Sequence, residues 1–196
     1  MTSLPPQHHV DNLPHLSLTD RRPDTKGILD ITIAEQIRKH LPRRFRLSSK
    51  WSLLYSLDQH GISMATLYYR ARGKGPCVLV IRDADDMIFG AFVNEGFKMK
   101  TSYYGTGECF LWKYEQESTK QAGVVKIYPW TGKNEYMILS EPNFIALGGG
   151  DGKFGLWINA GLDRGHSEPC PTFDNEVLSG SKDFECMELE VWAIGN

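Results

Sequence analysis

The chain reads as an α+β protein, predominantly β: a two-sheet antiparallel β-sandwich flanked by a few short helices. Three observations predict this. Roughly nine apolar or alternating stretches have strand length rather than helix length. Turn-forming clusters separate them, notably Arg82–Asp86, Tyr103–Glu108 and Gly148–Gly152. Only the stretch after Thr32 carries a clear helical period, with a shorter helix after Ser63. Two packed antiparallel sheets with peripheral helices satisfy all three.

Taken in order, residues 1–29 hold Pro5, Pro6, Pro14 and Pro23 among polar residues and show no period. They are expected to form a flexible N-terminal tail or tether, either free or docked in part, with the folded domain spanning 30–196. Thr32 and Glu35 form a capping box, Ile33, Ile37 and Leu41 share one face, and Pro42 stops the helix. Arg38, Lys39 and His40 fall in its last turn, where cations suit the carbonyl end. The basic run continues through Arg43, Arg44 and Arg46, either a solvated helix end or a patch for an acidic partner. Trp51–Leu57 alternates as a strand, and Ser63 caps a short helix through Tyr69. Strands follow at Cys77–Ile81, Met87–Val93 and Cys109–Tyr114. Val124–Trp130 and Glu135–Ser140 are expected to pair as a hairpin across Thr131–Asn134.

The last third organises the chain. Phe144–Leu147 and Phe154–Ala160 are strands around Gly148, Gly149, Gly150, Asp151 and Gly152, a tight hairpin whose glycines imply positive φ or close approach. A structured polar loop follows to Asn175. Phe184–Ile194 closes the chain as a strand with one wet face carrying Glu185, Glu188 and Glu190.

Composition narrows the function classes. With 196 residues, one domain with a sizeable core is expected. A net charge of -2 offers no basic excess for nucleic acid. No apolar run is long enough to span a membrane, and the first residues lack the apolar core of a secretory signal. Asp11, Asp20 and Asp24 argue against a mitochondrial leader, although Arg21 and Arg22 keep that alternative open. Cys77, Cys109, Cys170 and Cys186 include no CxxC pair, so reduced thiols in a cytoplasmic monomer are expected, with no metal and no cofactor.

Several apparent motifs fail on context. The loop at Asp83–Asp86 lacks the glycine and distal glutamate of a calcium loop. Gly150, Gly152 and Gly155 match G-x-G-x-x-G, but a strand-like run follows where a dinucleotide site needs a helix. His166–Cys170 imitates part of a zinc deaminase signature without its second cysteine. Cys170 lies near His166 and Arg164, which favour a thiolate, and beside Glu168, which opposes it. The five tryptophans suit a β-sandwich core as readily as a carbohydrate surface. No catalytic constellation emerges from these residues.

Five segments in order are specific enough to indicate a family: Trp51–Arg70, Val78–Val93, Tyr103–Trp112, Phe144–Ser179 and Asp183–Gly195. Together they resemble the TLDc domain shared by oxidation resistance proteins and related coactivator and TBC-domain proteins, across about residues 30–196. The chain departs from the family pattern at Asp151, where many members carry glycine; Asp tolerates the left-handed region better than most residues. The resemblance implies a β-sandwich and a non-catalytic role in resistance to oxidative damage. It also implies binding to the V1 sector of the vacuolar-type proton ATPase, promoting or holding its separation from the membrane sector, at the vacuolar surface. The rival is a direct antioxidant with a peroxide-reactive cysteine, for which Cys170 is the candidate. A partner surface is expected where glycine-shaped backbone meets polar and aromatic anchors. The residues that fit are Gly148–Gly152, the loop residues Asp163, Arg164, His166 and Glu168, and Tyr104 and Glu108, with Glu108 equally suited to be a buried acceptor that ties a loop.

Overall fold

A computed structural model describes residues 12–119 and 122–195. In chain order the elements are β1 (Ser17–Thr19), α1 (Ile31–Arg38), α2 (Arg43–Arg46), β2 (Lys50–Ser56), α3 (Leu57–His60) and α4 (Met64–Ala71). Then come β3 (Cys77–Asp83), β4 (Ile88–Val93), β5 (Phe110–Glu115), β6 (Val124–Pro129) and β7 (Ile138–Glu141). The chain ends with β8 (Phe144–Leu147), β9 (Leu156–Asn159), β10 (Arg164–His166) and β11 (Asp183–Ile194). The predominantly β, sandwich-like α+β architecture is as expected.

β11 is the spine. One edge pairs with β3 from Cys186 to Ala193. The other edge is shared: Asp183–Glu185 pair with β10, and Glu190–Ile194 pair with β2. From this strand one sheet runs through β3, β4 and β5 to β6, and the other through β10, β9 and β8 to β7. All pairings are antiparallel except the short β1–β2 contact. Irregularities at Cys186/Glu188 and Val191/Trp192 let one long strand serve both sheets.

β3 explains the two cores. Leu79 and Ile81 face the space between the sheets, with Phe89, Leu111, Ile145, Ile158 and Phe184. Val78 and Val80 face the other way, onto a second cluster with Trp51, Phe92, Trp112, Trp192 and Ile37 of α1. A strand buried on both faces needs a continuous apolar run, and CVLVI supplies it. α4 closes one side of the first core with Met64, Leu67, Tyr68 and Ala71, and the Ser63 hydroxyl caps it by accepting from Thr66 N at 3.1 Å.

Several expectations are corrected. Of the expected tail, the part described, residues 12–29, takes the docked alternative; residues 1–11 lie outside the described residues. Leu16, Ile28 and Leu29 are buried and β1 lies along β2. The anchor is Glu190, fully buried rather than on a wet face. Its carboxylate accepts from Ile28 N and Leu29 N, both at 3.0 Å, and from Trp192 Nε1 at 3.1 Å, and it pairs with Arg21. Glu188 is buried too, accepting from Leu57 N at 3.0 Å and Leu189 N at 3.0 Å; burial raises its carboxyl above the ordinary range against those bonds.

The cap of α1 is Asp30, not Thr32: the Asp30 carboxylate accepts from Ile33 N at 2.8 Å, so the helix begins two residues before a Thr32 cap would allow. Glu35 is turned instead to Leu16 N and Arg38. Finally, β6 and β7 do not form a hairpin. Their ladders are taken by β5 and β8, and the residues between them cross from one sheet to the other. Sequential strands need not be neighbours, and here each finds its apolar partner elsewhere.

Candidate functional site

The hairpin β8–β9 holds Leu147 opposite Leu156, and the glycine-rich tip extends beyond that pair. Gly148 has φ 76, and a Cβ there would stand 2.7 Å from Cys170 Sγ and 2.8 Å from the Phe173 ring. Only glycine allows the 169–174 loop to close so tightly on the hairpin. Asp151 takes φ 55, the left-handed conformation expected of this Asp. Gly150, Gly152 and Gly155 lead into β9, a strand, so no helix N-terminus faces them.

Thr172 fastens three segments. Its hydroxyl oxygen accepts from Gly149 N at 2.9 Å and the hydroxyl donates to Asn134 Oδ1 at 2.7 Å, while Asn134 Nδ2 donates to Gly149 O at 3.2 Å. Thr131 adds its backbone N–H to Thr172 O at 3.0 Å and its hydroxyl to Pro171 O at 2.7 Å. Asn175 closes the loop from within, donating to Glu168 O and Glu176 O, both at 2.9 Å. The result is a fixed surface. Asp151 and Lys153 of the tip face Pro169, Pro171 and the Lys133–Asp174 ion pair (2.8 Å) around a shallow hollow of about 330 Å³. Beside it Tyr103 and Tyr136 lie 5.0 Å apart, and Trp130 Nε1 donates to Asn134 O at 2.6 Å, with Trp130 and Tyr136 partly exposed.

The polar loop residues form a second, adjacent arrangement. Asn159 Nδ2 donates to Asp163 Oδ1 at 2.8 Å, shaping the turn into β10, and Arg164 is exposed. The His166 ring lies between two carboxylates, Nδ1 2.7 Å from Asp183 Oδ1 and Nε2 3.2 Å from Glu168 Oε2. Lys182 Nζ approaches Glu168 Oε1 at 3.0 Å. Burial disfavours the charged imidazole, but its bonds to Asp183 and Glu168 and their charges outweigh that, so its pKa is raised. The His166 bond, with Lys182, holds Glu168 below the usual carboxylate range.

The structure thus keeps Gly150, Asp151, Gly152, Asp163, Arg164, His166 and Glu168 at or near the surface, and removes others from it. Gly148 and Gly149 are buried under the 169–174 loop. Tyr104 is no exposed anchor: it is buried, its hydroxyl 2.8 Å from Ser140 Oγ, donating to Gly96 O at 3.0 Å and accepting from Lys98 N at 3.0 Å. Glu108 makes a bidentate pair with Arg44 at 2.5 and 2.6 Å, joining the basic run to this glycine turn.

Cys170 is buried against Gly148 and Gly155 rather than standing in a polar loop. Burial pushes its thiol up, and does the same to Cys77, to Cys109 (about 11) and to Cys186 (about 12). Sequence reasoning missed Trp130, Lys133 and Tyr136; the aromatic flanks of Thr131–Asn134 were the available signal, hidden by the hairpin assignment. Among the described residues no group of three His, Cys, Asp or Glu could hold a metal.

The arrangement is a surface of aromatic edges and charges whose segments are tied together by hydrogen bonds and an ion pair. Comparison with known proteins agrees with that architecture's lineage. The TLDc domain model matches residues 23–195. Oxidation resistance protein 1 of Yarrowia lipolytica is 38% identical over 175 residues, covering 86% of this chain and 74% of that protein. The Kluyveromyces lactis protein of the same name is 39% identical over 208 residues, covering 94% and 83%. Human nuclear receptor coactivator 7 is 42% identical over 168 residues, 85% of this chain but 17% of that longer protein. With the model spanning nearly all described residues and two such relatives covered over most of their length, the chain belongs to the TLDc domain family.

Proposed function

We propose that this protein contributes to resistance to oxidative stress as a non-catalytic protein-interaction module. Its partner is the vacuolar-type proton ATPase, whose V1 sector it releases or keeps apart from the membrane sector, acting from the cytoplasm at the vacuolar surface. The observation that carries the stress-resistance reading is membership of the TLDc family together with similarity, over most of their length, to proteins named for oxidation resistance. The ATPase partner follows from the family resemblance. The site supports a binding role: fixed backbone, exposed Asp151, Lys153 and Arg164, and aromatic edges at Trp130 and Tyr136.

The rival thiol mechanism has less support, because all four cysteines are buried and held as thiols. The discriminating experiment is survival of peroxide-treated cells carrying either the native protein or a folded variant lacking all four cysteines. Retained protection by that variant, lost on Lys153→Glu with Arg164→Glu, supports the interaction module. Loss of protection on removing the cysteines alone, with the fold intact, overturns it.

A further inference from the structure

Away from this surface, three hollows adjoin one another. The first, about 720 Å³, lies between α4 and residues 97–99 and is lined by Tyr68, Tyr69, Arg72, Lys98 and Met99, with Pro142 at its end. The second, about 690 Å³, shares Tyr69 with it and runs over β2 past Arg70 to Lys74. The third, about 460 Å³, shares Lys74 and Gly195 with the second and ends at Arg44 and Leu47 beside α2. Linked through these shared residues, the three hollows follow one another as a segmented groove, with Tyr69 standing between the first two. None of its lining residues belongs to the hairpin tip or the polar loop.

Its chemistry is uneven in a way the whole chain is not. The chain carries a net charge of -2. Along the groove stand Arg72, Lys98, Arg70, Lys74 and Arg44, against Asp20 as the one carboxylate among the described lining residues. Arg44 and Lys98 already have Glu108 and Glu95. Arg70 uses its Nε on Leu54 O, which pins it along β2 and leaves the rest of the guanidinium free to bond outward. Arg72 and Lys74 form no ion pair among the described residues. Cations that fold stability does not use are thus gathered in one channel.

Large apolar side chains stand out of the same channel. Tyr69 is 79% exposed, Leu47 64% and Met99 59%. Scattered apolar residues on a surface are ordinary, but these mark the two ends and the middle of one groove. A phosphate backbone would gain nothing from Leu47 and Met99, whereas a polypeptide with apolar anchors between carboxylates would use both features.

We propose that this groove binds an extended acidic segment of a partner protein, its carboxylates on Arg70, Arg72 and Lys74 and its apolar side chains against Met99, Tyr69 and Leu47. The inference rests on the reading of this domain as a protein-binding module and names the chemistry of one partner segment.

The test uses the full chain and a labelled synthetic peptide with several glutamates between leucine and phenylalanine anchors. Its control has each glutamate replaced by lysine, and phosphatidylserine–phosphatidylcholine vesicles are a third probe. The acidic peptide binds. Arg72→Glu and Lys74→Glu each weaken it about fivefold, more at low than at high salt. Tyr69→Ala weakens it, and Lys153→Glu leaves it unchanged. All these side chains are exposed, so the thermal midpoint reports that each variant is folded. Equal binding of the lysine peptide, binding of vesicles in place of the peptide, or affinity unmoved by Arg72→Glu and Lys74→Glu overturns the proposal. Peptide binding without V1 binding keeps the groove and removes the ATPase reading. V1 binding with no peptide binding removes the groove and keeps that reading.

Discussion

Replacing Glu190 by Gln tests whether a buried carboxylate, and not an exposed strand face, organises the N-terminal part of the fold. Glu190 is 0% exposed and receives Ile28 N, Leu29 N, Trp192 Nε1 and the Arg21 guanidinium. Glutamine keeps the shape but offers one acceptor oxygen, and its amide nitrogen points a donor at donors. Arg21, whose side chain is 17% exposed, loses its direct ion-pair partner and keeps only the more distant charges of Glu188 and Asp58. Breaking one side of a buried pair costs about 3–5 kcal/mol. In a domain of this size each kcal/mol lowers the thermal midpoint by about 2–4 °C, so a loss of roughly 6–20 °C is expected. Urea unfolding at neutral pH gives the free energy, and a cycle with Arg21→Met isolates the pair, whose double variant should lose less than the sum of the two single losses. Had Glu190 been on a wet face, the change would stay within about 0.5 kcal/mol. A loss below about 1 kcal/mol, or strict additivity in the cycle, would refute the anchoring role.

Three further outcomes follow from the site. Gly148→Ala places a Cβ at φ 76 against Cys170 and Phe173, adding about 1–2 kcal/mol of backbone strain to about 1–3 of overpacking; Gly152→Ala, with φ 71 and open space, adds only the strain. Similar losses for the two variants would contradict the close approach. His166, whose pKa is raised in the folded state, contributes stability that is fully present below about pH 6.5 and is lost as pH rises through the folded value. His166→Asn should therefore cost more at pH 5.5 than at pH 8.5, and a pH-independent cost in urea titrations would exclude the Asp183–His166–Glu168 arrangement as charged. Finally, the four buried thiols should react with maleimide only after unfolding, as read by mass spectrometry; rapid labelling of Cys170 in the native protein would return weight to the thiol mechanism.

The legible parts of the fold were local. The apolar run of β3, the glycines between β8 and β9, and the Ser63 cap declare themselves within a few residues. The parts that were not legible depend on distant partners. Residues 21–29 look like a tail until Glu190 supplies the bonds for Ile28 and Leu29 from far along the chain. The same glutamate, spaced as a solvent-facing residue on an alternating strand, is buried because a third segment covers that face. At the site the hairpin tip was legible from its glycines. Trp130, Lys133 and Tyr136 were not, since their segment is drawn to the tip by distant partners: Thr172 on Asn134, Pro171 O on Thr131 and Asp174 on Lys133. Tyr104 and Glu108 stand in a glycine turn that looked like surface, yet one ties a loop to Ser140 and the other holds Arg44.

Immobilised native protein, tested for capture of purified V1-ATPase and then for release of V1 from the assembled holoenzyme, decides the proposed role. The expected result is capture at micromolar concentration or tighter, loss of ATP-driven proton pumping as V1 separates, and weaker capture by the folded Lys153→Glu, Arg164→Glu variant. Failure of the folded native protein to capture V1 at about 10 µM, where specific complexes are populated, would contradict it.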